Sequence, residues 1–202
     1  MIASHNKNKL EQKMLQNEQV YRRACELFGG SPRVFRYYDQ TDEISMDLLT
    51  AENSPCEGAV SYSTVGLQHH SVGLRMEGKP LRVEIAAACY SRYEYYPNLL
   101  SACSFEIINA RFGCCHGAVY RDCVNMYVQG SPMKHLLFTA CRLWEKDMDA
   151  LVFDDKKTIW LTAVPISDSE LLYLEENTSD TLLERLNAAG ADFLNLERKS
   201  IF

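Results

Sequence analysis

The chain has 202 residues, a formal net charge of −6, 47% hydrophobic and 24% charged residues. This is the length and composition of one ordinary globular domain, able to bury a core without a disulfide or metal staple. No apolar run approaches the ~20 residues that span a bilayer, and the polar N-terminal region lacks the apolar segment and cleavage site of a secretory leader, so a cytoplasmic protein is expected.

Residues from about Lys9 to Phe28 carry Val20, Ala24, Leu27 and Phe28 at helical spacing, with Leu10 and Met14 placed earlier on the same stripe. Gly29-Gly30 stops this helix and Pro32 keeps it from resuming. Arg33–Tyr38 is aromatic and β-branched, Asp39–Asp42 is turn chemistry, and Ile44–Leu49 largely alternates, which predicts a hairpin. The stretch Ala59–His70 reads as a buried strand running into a polar turn at Gly66. Val60, Tyr62 and Thr64 should face one side of it, and Ser61, Ser63 and Val65 the other. Val72–Met76 and the alternating Leu81–Ala86 continue a mostly antiparallel meander.

Pro97 opens a second helix whose buried side is Leu99, Leu100, Cys103, Ile107 and Ala110, with Gly113 at its end. Strands are predicted at Val124–Val128, Leu136–Ala140 and Thr158–Val164, the last preceded by a polar turn at Asp154–Lys157. Ser167-Asp168-Ser169-Glu170 is a capping box, and a helix follows through Leu171 and Leu174. Another helix runs over Thr178–Ala189 with Leu182, Leu183 and Leu186 inward. The expected fold is α/β (α+β): a mixed, mostly antiparallel sheet flanked by helices. Residues 1–19 are read as the N-terminal part of the first helix and 20–202 as the domain.

No residue pattern defines a catalytic or metal centre. Neighbours on a strand point to opposite faces, so His69-His70 is read as a surface turn, not as a pair of ligands. Cys114-Cys115-His116 places thiols beside an imidazole, the pairing a cysteine nucleophile needs, but adjacency in sequence is not the required geometry. The eight cysteines mostly sit in apolar surroundings, where they act as small reduced hydrophobes. No cofactor motif is present: there is no Gly-rich phosphate loop and no nucleophile elbow.

Charge is uneven. Residues 145–199 hold thirteen acidic and six basic side chains, whereas residues 1–40 hold four acidic and seven basic. An acidic surface repels phosphates and suits a basic protein partner. Asp168, Glu170, Glu175 and Glu176 form the expected acidic surface patch, with capping for Glu170 and solvation for the others as the plainer reading. Tyr95 and Tyr96, with Tyr93 in the same aromatic loop, are candidate partner-binding anchors, although core burial competes for all three.

Several segments in order carry a resemblance. They are Leu27-Phe28-Gly29-Gly30 before Val34-Phe35, Ile44–Leu48, Tyr62–Leu67, Arg82–Ile85, Leu136–Thr139, and Val164–Ser167 followed by Glu170. Together they span nearly the whole chain, and the chain resembles the suppressor-of-fused domain family, its bacterial antitoxin branch in particular. The resemblance implies a cytoplasmic, non-enzymatic immunity protein that binds the nuclease domain of a cognate LXG toxin, a DNase by expectation. It implies no cofactor, no metal, no catalytic residue, and no direct contact with nucleic acid or membrane. Two other readings stay open: a regulatory protein-binding adaptor without a toxin, and an enzyme using Cys114 or Cys115 with a histidine.

Overall fold

The computed structural model describes residues 2–109, 111–140 and 142–202, with side chains from residue 7 onward. Helix α1 (Ile2–Phe28) leads into strands β1 (Arg33–Tyr38), β2 (Ser45–Glu52), β3 (Ala59–Val65), β4 (Arg75–Met76) and β5 (Lys79–Tyr90). Helix α2 (Tyr96–Ile108), β6 (Val119–Tyr120), β7 (Met133–Ala140), β8 (Leu151–Val152), β9 (Lys157–Ser167), α3 (Asp168–Glu176) and α4 (Ser179–Ala188) complete the chain. The strands form one nine-stranded sheet in the order β1-β2-β3-β5-β9-β7-β6, with β4 added beside β5 and β8 beside β9. Every pair is antiparallel except β5 with β9, which run parallel from Leu81–Lys157 to Ala86–Thr162. The expected mixed, mostly antiparallel α/β fold is therefore the one found.

Strand periodicity explains how both sheet faces are covered. On one face Leu48, Tyr62, Val83, Ile85, Leu136, Phe138 and Leu161 pack with Leu99, Leu100, Cys103 and Ile107 of α2. On the other, Leu49, Ala51, Val65, Ala86 and Trp160 meet Val20, Ala24 and Phe28 of α1. Further along that face Leu137, Val164 and Ile166 meet Leu171 of α3 and Leu182 and Leu186 of α4. Central strands buried on both sides read as near-continuous apolar runs, as in Ala86-Ala87-Ala88-Cys89. The two serines of β3 on the α1 face are each matched by an indole. Trp144 Nε1 donates to Ser61 Oγ at 2.9 Å, and Trp160 Nε1 donates to Ser63 Oγ at 3.0 Å.

Four expectations need correction. Leu10 and Met14 are 61% and 64% exposed, because the first half of α1 runs past the sheet and packing begins only near Gln16. Val124–Val128 is not a strand. Asp122 takes a left-handed φ of 54°, and the following residues close into a 3₁₀ turn over Val124–Met126. The polar turn before β9 contains a buried lysine, Lys156. Gln68, in the supposed surface turn, is fully buried, in a 3₁₀ turn over Leu67–His69. Ala110 and Cys141 lie outside the described residues; the other seven cysteines are free.

Gly66 makes that last turn possible. Its φ is +106°, and a Cβ there would stand 3.3 Å from Asn17 Nδ2 of α1. Gly66→Ala should therefore cost about 1–3 kcal/mol through backbone strain and crowding. Urea unfolding measures this, and an unchanged midpoint would contradict the assignment.

Candidate partner-binding surfaces

The acidic face is built by α3. Ser167 caps it: the Glu170 N–H donates to Ser167 Oγ at 3.2 Å, and the Ser167 N–H donates to Glu170 Oε2 at 3.0 Å. Glu170 is fully buried and paired with Arg198, whose two terminal nitrogens reach its oxygens at 2.6 and 2.7 Å. That carboxylate is thus structural. Asp168, Glu175 and Glu176 point outward. Asp168 is bridged by Lys134 and receives His135 Nε2 at 3.0 Å, and these bonds hold its carboxyl below the usual range. Glu175 meets Arg121 at 2.9 Å. Asp180, at the start of α4, lies 3.2 Å from His116 Nε2.

The tyrosines separate. Tyr95 is 64% exposed at the N-cap of α2, whereas Tyr96 is fully buried against Tyr62, with ring centroids 5.8 Å apart. A side chain with no exposed surface cannot seat a partner, so Tyr96 leaves the candidate set and Tyr95 stays. Tyr93 is also buried, its hydroxyl bonded to Asn195. Tyr95 and the α3 carboxylates belong to elements on opposite faces of the sheet, so they do not form one compact patch.

Beside Tyr95 a groove runs between edge strand β1 and α2. One part, about 480 Å³, is lined by Phe35, Tyr37, Tyr62 and Pro97. The next, about 450 Å³, is lined by Tyr37, Tyr38, Phe105 and Tyr127. This aromatic lining comes from Phe35, Tyr37 and Tyr38 of β1, Tyr62 of β3, Phe105 of α2, and Tyr127 after the 3₁₀ turn.

The histidine and cysteine candidates resolve differently. His69 Nε2 lies 2.8 Å from Asn17 Oδ1, and Lys156 Nζ lies 3.2 Å from its Nδ1. Burial, reinforced by Lys156, pushes the His69 imidazole down to about 4; burial also lowers His70. Both rings are neutral near pH 7, and both nitrogens of His69 are engaged. Behind them sits a group the sequence reading passed over. Glu84 of β5 is fully buried beneath the turn, accepting from the N–H groups of Gly66 at 2.9 Å and Gln68 at 3.1 Å and from the Thr64 hydroxyl. Burial outweighs these bonds and pushes its carboxyl up to about 7. The only signal for it was a Glu in a strand that otherwise alternates toward the core.

Cys114 is buried, and burial raises its thiol well above the ordinary range, the reverse of what a nucleophile needs. His116 turns instead to Ser179 and Asp180 at the start of α4. Asp122, His135 and Asp168 come together as a metal site might. However, the Asp122 N–H donates to His135 Nδ1 at 2.9 Å, while Nε2 faces Asp168. With Nδ1 accepting and Nε2–H donating, the imidazole has no lone pair left for an ion. The cluster is a clip between β7 and the start of α3.

The fold is a sheet covered on both faces, by α2 on one side and by α1, α3 and α4 on the other. The chain belongs to the suppressor of fused protein (SUFU) family, whose model matches residues 40–199. It is 40% identical to the immunity protein YqcF of Bacillus subtilis (strain 168) over 186 residues, covering 92% of this chain and 97% of that protein. The fold matches the crystal structure of a SUFU homologue from Neisseria gonorrhoeae FA 1090 with a TM-score of 0.67 at 15% identity, over 93% of this chain and 97% of that one. A chain of the Sufu–Fu complex also gives 0.67, at 14% identity, over 93% and 92%. Among the described residues no helix is long and apolar enough to cross a membrane.

Proposed function

We propose that this chain is an immunity protein that binds a cognate LXG-type toxin in the cytoplasm and blocks its nuclease domain, with DNA as that nuclease's substrate. The observation that carries this reading is the 40% identity to the immunity protein YqcF along almost the full length of both chains. The mechanism is occlusion, not chemistry. A nuclease presents a basic surface to its substrate, and the outward carboxylates Asp168, Glu175 and Glu176 are complementary to such a surface. Tyr95, exposed at the start of α2 on the opposite sheet face, is an aromatic anchor for a second, separate contact with the partner.

The test is co-purification of the chain with the product of an adjacent toxin-like gene, followed by a nuclease assay on the complex. The expected result is a stoichiometric complex without DNase activity; failure to associate and to protect cells would overturn the reading. Glu175→Lys with Glu176→Lys should slow association about tenfold at low salt, with a smaller effect at high salt. Unchanged association at low salt would remove the acidic face from the interface.

A further inference from the structure

The sheet ends in two outer strands of unequal length. β6 is two residues long, whereas β1 spans six and pairs with β2 alone. Edge strands are normally protected by a proline, a lysine, a bulge or a covering segment. β1 has none of the first three: its sequence is Arg-Val-Phe-Arg-Tyr-Tyr, and its register against β2 runs unbroken from Arg33–Thr50 to Tyr38–Ser45. Nor is it covered, since Val34, Phe35 and Tyr38 are 45%, 43% and 55% exposed. The Asp39 N–H donates to the Ile44 carbonyl, and counting back in twos from that pair turns the main-chain groups of Tyr37, Phe35 and Arg33 toward β2. Those of Val34, Arg36 and Tyr38 therefore point outward, with no strand beside them among the described residues.

Charge and side-chain pattern identify the neighbour this edge fits. Arg33 is paired with Glu52 and Arg36 with Asp47, so the edge is locally balanced in a chain of net charge −6. Such an edge gives a basic nuclease no electrostatic attraction and gives a second acidic copy no local repulsion. The strand is also complementary to itself. Antiparallel pairing centred on Phe35 sets this ring against Phe35 of a second copy, on the α2 face beside the aromatic groove. On the other face the same pairing sets Val34 against the aliphatic stem of Arg36. Val34 and Arg36 then exchange main-chain hydrogen bonds on both sides of the axis. A slip of two residues one way sets Arg36 against Arg36, and the other way places Pro32, which has no N–H, opposite Arg36 inside the ladder. We infer that the β1 edge is a homodimer interface, in which two copies pair antiparallel through β1 about a two-fold axis at Phe35 and join their sheets into one. Six residues a side make a small interface, so the dimer is reversible, with a dissociation constant on the order of 10–100 μM. It is independent of the toxin-binding reading.

The test is sedimentation equilibrium of the full chain across concentrations bracketing that range, where a monomer–dimer equilibrium is expected. Phe35→Lys sets two like charges together on the axis, and Val34→Pro removes an outward N–H while leaving the β2 ladder intact. Both should keep the wild-type circular dichroism and weaken dimerisation about tenfold or more. Phe35→Tyr, which keeps the ring, should dimerise as the wild type does. Phe35→Cys should cross-link to its own copy on oxidation, because a non-hydrogen-bonded cross-strand pair brings the two Cβ atoms within disulfide reach. Tyr38→Cys, whose two copies stand six residues apart along the paired strands, should not rise above the wild-type background set by the exposed Cys56. A wild-type chain that stays monomeric, a dimer that survives both Phe35→Lys and Val34→Pro, or equal cross-linking at positions 35 and 38 would overturn the proposal. So would loss of toxin binding by Phe35→Lys in a chain that sediments as a monomer, which would assign the edge to the toxin.

Discussion

Replacing Arg198 by Met is expected to lower the unfolding free energy by about 3–5 kcal/mol, the usual penalty when one partner of a buried ion pair is removed. The guanidinium is 6% exposed and Glu170 fully buried, so the stranded carboxylate would have no route to solvent. The effect should exceed that of deleting any surface bridge, such as Arg22 with Glu18, which stands in water and contributes little. Arg198 also donates to the Pro165 carbonyl at 3.0 Å, and Glu170 accepts from the Ile201 N–H at 3.3 Å, so the pair ties the C-terminal tail to β9 and α3. The double variant Glu170→Gln/Arg198→Met removes both charges while leaving an amide oxygen for the Ser167 N–H. It should recover a large part of the loss. Urea unfolding of both variants checks this. A loss under about 1 kcal/mol for Arg198→Met would show that the pair is not the clamp described.

The second large effect concerns pH. Glu84 has its carboxyl raised from 4.5 to about 7, so in that interval the folded chain holds a proton that the unfolded chain releases. Its stabilising contribution is fully present below pH 4.5 and is lost as pH rises through 7. At about 1.36 kcal/mol per unit, the span is on the order of 3 kcal/mol. His69, lowered from 6.5 to about 4, works in the opposite direction: its contribution is present above 6.5 and is lost as pH falls through 4. Wild-type stability should therefore vary little between these limits. Glu84→Gln keeps a carbonyl for the Gly66 and Gln68 N–H groups and removes the acid. It should be more stable than wild type at pH 8, and its stability should rise steadily with pH between 4 and 6.5. Lys156, which faces the same network, is common to both proteins. Parallel stability curves for the two proteins across that range would refute the role given to Glu84.

Much of the architecture was legible because it rests on local pattern. The capping box at Ser167–Glu170, the alternation of Leu81–Ile85 and the glycine stop after Phe28 each express one short-range rule, and each holds. What stayed hidden depends on residues far apart in sequence. Glu84 and Lys156 are polar on paper and buried in fact, because Gly66–Gln68 supplies donors to the first, and Gln68 and His69 receive the second. Tyr95 and Tyr96 are neighbours of one type, and only the register of α2 decides that one meets water and the other the core. The apolar stripe of α1 was correct in period, yet periodicity does not say where the sheet ends; Leu10 and Met14 lie beyond it.

The parallel contact of β5 with β9 has a consequence for how the chain acquires its structure. On one side of that seam, β1, β2, β3 and β5 follow one another as antiparallel neighbours; on the other, β6, β7 and β9 do the same. Each half can form from contacts close in sequence, whereas the seam must join Leu81–Ala86 to Lys157–Thr162 across the intervening α2, β6, β7 and β8. Closing that long loop has a large entropic barrier before any contact compensates it, so the seam sets the folding rate. Substitutions at Val83 or Ile159 should slow refolding, while those at the β1–β2 hairpin should act mainly on unfolding. Stopped-flow refolding of the two sets of variants separates these behaviours.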